Sequence, residues 1–290
     1  MPIEARFAVE SRPGAIARVA LIDRDAQSQA EVAPDRGGMV ATWRVAGRDL
    51  LYLDAATFDD RSKNVRGGNP VLFPSPGKLA NDAFSLGGRR GSLSQHGFAR
   101  TSAWTEVARG VDGSAWVRLA LESTPETKAV YPWDFRAELT YRLTDATLRT
   151  EIRVANKGQE VMPFGFGFHP YFAVPLAQKA GARIATRARR AWDNVAKKEI
   201  DLHGIDLDSS EVDLHLQDHG STKSELTFAN RKIEVEGSSE FVQWVVWTQP
   251  GKEFVCLEPW TSPGNALNLN RGLVALPPGS ERKLWVEMRA

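Results

Sequence analysis

Cysteine is almost absent from this chain of 290 residues, which contains only Cys256. A single thiol excludes an intramolecular disulfide and any zinc site built from cysteine pairs. Net charge is also nearly absent, because 37 Lys and Arg residues oppose 36 Asp and Glu residues and leave +1. This balance gives no support to a protein that binds a polyanion over its whole surface, so no nucleic-acid partner is expected.

Long apolar runs are missing as well. No stretch reaches the roughly 18 consecutive apolar residues that a membrane-spanning helix requires. The first residues, MPIEARFAVESRPG, lack the basic and apolar segments of a secretory signal. We therefore expect a soluble, cytoplasmic protein with no membrane partner. Large aromatic residues are plentiful, with 13 Phe and 9 Trp against 4 Tyr, and most of them are expected in the core.

Alternation of polar and apolar residues is the dominant local pattern. In Ala137–Asn156 two alternating stretches flank Asp145, which is typical of a β-hairpin. Gly and Pro turns separate many such short stretches, and no strand–glycine loop–helix unit of a nucleotide-binding fold is present. The pattern predicts an all-β protein, a large antiparallel β-sandwich, with residues 1–290 forming one domain.

The five histidines fall into two groups. His203, His215 and His219 lie in a polar segment, residues 197–225, which we interpret as a surface excursion with exposed histidines. His215 and His219 have the i, i+4 spacing that binds a metal on a helix. The alternation around them indicates a strand instead, and no HExxH motif accompanies them, so no metal site is predicted.

The other two histidines lie in segments of unusual composition. His96 is part of SQHGFAR, which follows a Gly/Ser-rich loop, and His169 lies in PFGFGFHPYF, where Phe and Gly alternate. Glycines at such positions let the backbone lie close to a ligand or to another backbone, beside large apolar walls. Each histidine taken alone also fits an ordinary structural role.

Glu258 ends an apolar stretch and is followed by a proline. An unpaired carboxylate is costly to bury. Glu258 therefore either forms a salt bridge with a nearby Arg or Lys or serves as a general base with a raised pKa. Cys256 would share its face of the strand, and we interpret this cysteine as structural because no base for it is evident.

Four segments together resemble the aldose 1-epimerase (mutarotase) family, including its hexose-6-phosphate 1-epimerase branch. In chain order they are RGGNPVLFP from Arg66, QHGFAR from Gln95, FHPYF from Phe168 and CLEPW from Cys256. Each motif alone is weak, but the four follow the family's order over most of the chain. The resemblance implies an isomerase of the EC 5.1.3 type with a galactose mutarotase-like β-sandwich. It also implies a sugar cleft on one curved sheet, with no metal and no organic cofactor.

The resemblance also implies roles for individual residues. Glu258 would take the proton from the anomeric hydroxyl, and His169 would protonate the ring oxygen as the C1–O5 bond opens. His96 would assist at the ring oxygen, and Arg66 would contact sugar hydroxyls. The remaining substrate-binding candidates are Gln95 and Asp213, with Asp218 as the alternative to Asp213.

The chemistry needs an acid and a base acting together, because one proton leaves an oxygen and another arrives. Each group contributes on the order of 10²–10⁴-fold. Attraction to the carboxylate is expected to keep the histidine protonated. Some of the aromatic residues near the motifs are expected to form cleft walls; the candidates are Phe164, Phe166, Phe168, Trp247 and Trp260.

Three alternatives stay open at this point. A phosphorylated hexose would need cations, and several lie near the motifs: Arg66, Lys78, Arg89, Arg90 and Arg100. The loop FPSPGKL resembles that of epimerases for free sugars, which favours an unphosphorylated aldohexose. A non-catalytic carbohydrate-binding protein is the second alternative, and a lyase or glycoside hydrolase on a related sandwich is the third. The expected partner is a small sugar, and the protein is expected to be a monomer or homodimer.

Overall fold

The computed structural model describes residues 5–290 and consists mainly of short strands. In this part of the chain the strands are β1 (Phe7–Arg12), β2 (Arg18–Asp23), β3 (Ser28–Ala33), β4 (Met39–Val45), β5 (Arg48–Asp49), β6 (Val71–Leu72), β7 (Ala83–Leu86), β8 (Arg89–Ser92), β9 (Thr105–Val111), β10 (Ala115–Glu122), β11 (Phe135–Thr144), β12 (Thr147–Asn156), β13 (Met162–Phe164), β14 (Gly167–Phe168), β15 (Tyr171–Ala173), β16 (Arg183–Ala185), β17 (Arg190–Asp193), β18 (Lys198–Asp201), β19 (Val212–Leu216), β20 (Lys223–Phe228), β21 (Arg231–Gly237), β22 (Gln243–Thr248), β23 (Phe254–Trp260), β24 (Val274–Leu276) and β25 (Glu281–Arg289). The helices are short, namely α1 (Ala55–Asp59), α2 (Pro125–Val130), α3 (Leu176–Lys179) and α4 (Ala266–Leu269). The 3₁₀ turns are Ala80–Asp82 and Ala99–Thr101.

Two large antiparallel sheets and a smaller one form the body of the protein. The N-terminal sheet has the order β1-β2-β3-β4-β5, and the outer sheet has the order β16-β20-β21-β25-β12-β11-β10-β9. The third sheet, which we call the cleft sheet, has the order β18-β17-β19-β22-β23-β14-β6, and β15 also pairs with β23. The predicted all-β antiparallel architecture is confirmed.

The predicted hairpin over Ala137–Asn156 corresponds to β11 and β12. These strands pair antiparallel from Phe135 opposite Asn156 to Thr144 opposite Thr147. The two-residue turn begins at Asp145, whose φ of 50° is the left-handed conformation that Asp tolerates better than most residues.

Alternate residues of the cleft sheet face opposite sides, as the strand period of two requires. In β23, Val255 and Leu257 belong to the main core, whereas Glu258 and Trp260 line a cleft on the other face. The residues of the main core come from most of the chain, from Val19 to Met288. The prediction of one domain over 1–290 agrees with this shared core but stays a prediction, because residues 1–4 lie outside the described chain.

The Phe/Gly run serves packing rather than the cleft. Phe164, Phe166 and Phe168 are fully buried in the main core, so their expected role as cleft walls is wrong. A Cβ on Gly167 would lie 2.8 Å from Cδ1 of Trp260. The glycine therefore makes room for a side chain of the neighbouring strand, which accounts for the alternation.

The polar segment 197–225 is a surface excursion only in part: residues 202–211 form a largely exposed loop, but the interpretation is wrong for the strands on either side. It forms β18 and β19 and enters β20 at Lys223. β19 lies inside the cleft sheet between β17 and β22, where one face of a polar strand can line an open cleft. No helix among residues 5–290 combines the length and apolar character needed to cross a membrane.

Candidate active site

An open cleft of about 940 Å³ lies on the solvent side of the cleft sheet. The structure brings the six predicted site residues, which are far apart in sequence, to this one cleft: Arg66, Gln95, His96, His169, Asp213 and Glu258. Asp218 lies outside its lining, where its carboxylate accepts hydrogen bonds from the backbone amides of Arg189 and Arg190.

His169 and Glu258 form a close pair at the floor of the cleft. The distance between His169 Nε2 and Glu258 Oε1 is 3.3 Å, and the two side chains are 12% and 1% exposed. His169 directly follows β14, its backbone amide donates to Pro70 O, and its ring stacks on Tyr171 with centroids 4.7 Å apart. Pairing of β14 with β23 through Gly167 and Trp260 brings the two side chains together.

Burial dominates the electrostatics of this pair. Burial and, to a smaller extent, the nearby Arg100 guanidinium lower the pKa of His169 to about 3. Burial also raises the pKa of Glu258 well above its ordinary value, and the charge of Asp213 adds to that effect. The lowered pKa of His169 is opposite in direction to the expectation that the carboxylate keeps this histidine protonated, because desolvation of both groups opposes their attraction.

His96 is a buried neutral hydrogen-bond donor. The Gly77 amide donates to Nδ1 over 3.1 Å, so the neutral ring is assigned its proton on Nε2. That nitrogen lies 3.3 Å from Nε2 of Gln95, so the Gln95 amide is assigned with its oxygen toward His96, where it accepts this proton. Burial holds the pKa of His96 well below its ordinary value, and the neighbouring His169 and Arg100 lower it further.

Arg66 lies at the rim beside an aromatic wall. Its guanidinium carbon is 5.2 Å from the ring centroid of Trp247, a cation–π arrangement. The indole Nε1 of Trp247 donates to Glu211 Oε1 over 3.2 Å. The tryptophans Trp247 and Trp260 thus line the cleft as expected.

The polar strand β19 contributes two neighbouring groups. Asp213 accepts a hydrogen bond from Asn194 Nδ2 over 2.7 Å and lies 3.4 Å from His215 Nε2. His215 lines the cleft, which sequence reasoning missed because it treated this histidine as an exposed surface residue. The signal in the sequence was the alternation VDLHL, which puts both polar side chains on one face.

His219 is likewise not the exposed residue that was expected. It is 3% exposed, with Nδ1 2.8 Å from Thr186 Oγ1 and Nε2 2.8 Å from Lys223 O. It lies beyond the end of β19, so it shares no helical face with His215.

Three possible metal ligands approach one another beneath the cleft. Ligand atoms of His169, Cys256 and Glu258 lie within 4.8 Å of one another. Cys256 is fully buried, and burial raises its thiol pKa well above the ordinary value. It shares the cleft-side face of β23 with Glu258, as predicted, and it packs against Tyr171, Trp247 and Phe254.

The basic residues near the motifs do not form one cluster. Arg66, Lys78 and Arg100 line the cleft, and Arg100 Nη2 donates to Gln95 O over 2.8 Å. Arg89 is paired with Glu160 and, like Arg90, does not line the cleft. The structure adds two cations that the sequence did not indicate, Arg190 and Arg271.

Trp260 links the cleft wall to the proposed base. Its Nε1 donates to Glu258 Oε2 over 3.1 Å, and this hydrogen bond lowers the pKa of Glu258 against the effect of burial. Replacing Trp260 with Phe should raise that pKa further and disfavour the carboxylate form. We expect kcat for a proton-transfer reaction at Glu258 to fall about tenfold, in line with the loss of a hydrogen bond to a charged group. The alkaline limb of the pH–rate profile, which reports loss of the proton that Glu258 and His169 share, should move to higher pH.

The control for this variant is Trp285→Phe, because Trp285 lies in β25 outside the cleft lining. It should leave the rate and the pH profile unchanged. A Trp260→Phe protein whose alkaline limb moves to lower pH would contradict the role of the indole.

Comparison with known proteins places this fold and cleft in a family. Residues 18–289 match the family model described as Aldose 1-epimerase. Slr1438 from Synechocystis sp. PCC 6803 is 35% identical, with a TM-score of 0.91 and coverage of 100% of this chain and 98% of that one. A galactose mutarotase-like protein from Clostridium acetobutylicum is 21% identical, with a TM-score of 0.83 and coverage of 98% of both chains.

A sequence relative from Cenchrus ciliaris is provisionally named a glucose-6-phosphate 1-epimerase. It is 27% identical over 237 residues, which is 74% of this chain and 67% of the relative. The predicted galactose mutarotase-like sandwich and the EC 5.1.3 type of isomerase are thus confirmed. Because the family model spans nearly the whole chain, this protein belongs to the aldose 1-epimerase family.

Proposed function

We propose that the protein interconverts the α and β anomers of a free aldohexose, with Glu258 as general base and His169 as general acid. The observation that carries the proposal is the buried contact of 3.3 Å between the two groups at the floor of an open cleft. A carboxylate and an imidazole this close can act on two oxygens of one sugar, namely O1 and the ring oxygen.

In the forward direction Glu258 removes the proton of the anomeric hydroxyl while His169 protonates the ring oxygen. The C1–O5 bond breaks, and its electron pair stays on O5 as C1 becomes an aldehyde carbon. Rotation about C1–C2 presents the other face, and the same two transfers in reverse close the ring. No net proton is gained or lost, and we assign to His96 an assisting role at the ring oxygen through a hydrogen bond from Nε2.

The proposed reaction requires one proton on the His169–Glu258 pair. Burial lowers the pKa of His169 and raises that of Glu258, which favours the form with this proton on the carboxyl group. The form that starts the reaction is the tautomer with the proton on His169. The two forms differ by one transfer across 3.3 Å, so the site carries one acid and one base in either form.

The charges in the cleft bear on whether the sugar carries a phosphate. Of the cations that line the cleft, Arg66 faces Trp247 and Arg100 donates to Gln95 O. Arg89 lies outside the lining, where it is paired with Glu160. This division, together with the loop FPSPGKL, supports an unphosphorylated sugar. The second candidate is a hexose 6-phosphate, which the Cenchrus ciliaris relative and the rim residues Lys78 and Arg271 favour.

The test is the rate of α-to-β exchange of glucose, galactose and glucose 6-phosphate, measured side by side by polarimetry or NMR. We expect acceleration of both free sugars above the rate in buffer. A large preference for glucose 6-phosphate would assign the phosphorylated substrate instead. If all three sugars exchange at the buffer rate, the epimerase proposal fails for these sugars and a carbohydrate-binding role takes its place.

A cytoplasmic location and a monomeric or homodimeric state stay predictions. So do the contacts of Arg66, Gln95 and Asp213 with sugar hydroxyls.

A further inference from the structure

We propose that His215 determines sugar specificity by contacting the hydroxyl groups at the end of the ring opposite the anomeric carbon. The inference rests on the proposed function, because it takes the anomeric end to lie at Glu258. It assigns a role to a cleft histidine that the acid–base chemistry does not use.

The position of His215 follows from strand register. Glu258 in β23 lies opposite Val245 in β22, Val245 lies opposite His215 in β19, and His215 lies opposite Trp192 in β17. All four side chains line the cleft. Neighbouring strands are about 4.8 Å apart, so the backbones carrying Glu258 and His215 are separated by about 10 Å.

This spacing suits a single pyranose. With O1 at Glu258 and the ring over Val245, the hydroxyls on C4 and C6 point toward β19. His215 is the side chain of that strand on the direct line from Glu258. Trp192 lies one strand farther from Glu258, so the cleft extends beyond His215. The sugar ring can therefore be approached from the solvent side of the cleft.

A neighbouring carboxylate fixes the orientation of the imidazole. His215 Nε2 lies 3.4 Å from Asp213 Oδ1, and the other carboxylate oxygen accepts from Asn194. Although burial raises the pKa of Asp213, the hydrogen bonds from His215 and Asn194 bring it below its ordinary value. Because a carboxylate accepts hydrogen bonds, this contact places a proton on Nε2 of His215 and leaves Nδ1 to meet a sugar hydroxyl.

Trp260 holds the same imidazole from the side. The ring of His215 meets that of Trp260 edge-on, with centroids 5.3 Å apart and an interplanar angle of 88°. The indole also donates to Glu258, so one rigid side chain touches both ends of the proposed sugar site. The His215 side chain is nevertheless 24% exposed, which leaves it accessible from the cleft.

The experiment compares wild type with His215→Ala and His215→Gln in anomer exchange. The sugars are glucose, galactose, 4-deoxyglucose and 6-deoxyglucose, and equilibrium binding of each is measured in parallel by NMR titration. Loss of one good hydrogen bond predicts a rise of roughly tenfold in KM and in the dissociation constant for glucose, with little change in kcat. For the deoxy sugar that lacks the contacted hydroxyl, His215→Ala should change KM and the dissociation constant very little. For glucose, His215→Gln should recover part of the affinity that His215→Ala loses.

The control is His203→Ala, an exposed histidine outside the cleft lining, which should behave as wild type. Equal penalties for His215→Ala on glucose and on both deoxy sugars would overturn the proposal, and so would a loss confined to kcat. If His215→Ala does not fold, the same comparison is made with His215→Gln. If wild type binds the sugars without accelerating exchange, the proposed function fails, while the binding measurements still decide the role of His215.

Discussion

Replacing Glu258 with Gln is expected to slow anomer exchange by about 10²–10⁴-fold, the contribution typical of a general base. The amide cannot accept the proton of the anomeric hydroxyl at any accessible pH. In the wild-type protein the carboxyl group lies between Trp260 Nε1 and His169 Nε2. The amide of the variant can still accept the hydrogen bond from Trp260 and donate one to His169. Because burial already favours the neutral form of Glu258, the free energy of unfolding should change little.

The measurement is exchange kinetics together with thermal unfolding. Glu253→Gln is the matched control, since Glu253 is exposed and lies next to β23 outside the cleft lining. It should retain the wild-type rate. A Glu258→Gln protein that is folded and still active would remove Glu258 as the base, whereas one that unfolds would indicate a structural role.

His169→Gln is the second variant with a large expected effect, again about 10²–10⁴-fold in kcat. His96→Gln should lose less, because His96 is a neutral donor whose Nδ1 is held by the Gly77 amide. The difference in kcat between the two variants therefore tests which histidine is the acid. The double variant Glu258→Gln/His169→Gln should be hardly slower than either single variant, since groups that act as a unit give non-additive losses.

Two results would contradict this assignment. One is a larger loss of kcat for His96→Gln than for His169→Gln, which would make His96 the acid. The other is full additivity of the two losses in the double variant, which would mean that Glu258 and His169 act independently. Thermal unfolding of each variant separates these outcomes from a loss of folded protein.

Several features of the fold followed directly from local patterns. Alternation predicted the hairpin of β11 and β12, and it also placed Cys256 and Glu258 on one face of a strand. These predictions succeed because side chains on a strand alternate strictly, so the polar pattern reports the face without knowledge of the partner strand. The Phe/Gly run was misread, since a glycine that makes room for Trp260 and one that makes room for a ligand look the same in a sequence.

The candidate site was predictable only in part. Four short motifs supplied His96, His169, Glu258 and Arg66, and the structure places all four at one cleft. His215 was missed because its segment is polar, and polarity is expected both of an exposed surface and of a sugar cleft. Which of the two applies depends on the neighbouring strands β17 and β22, which are distant from each other in sequence.

The sequence by itself determined the strand content, the family and the residue types available for acid–base chemistry, because these depend on local periodicity and on ordered motifs. Only the tertiary structure decided in which direction the pKa values of His169 and Glu258 shift and which cations face the cleft. Both depend on distance and on exclusion of water. The pairing of β14 with β23 places an imidazole 3.3 Å from a carboxyl group, and burial of both groups disfavours their charged forms.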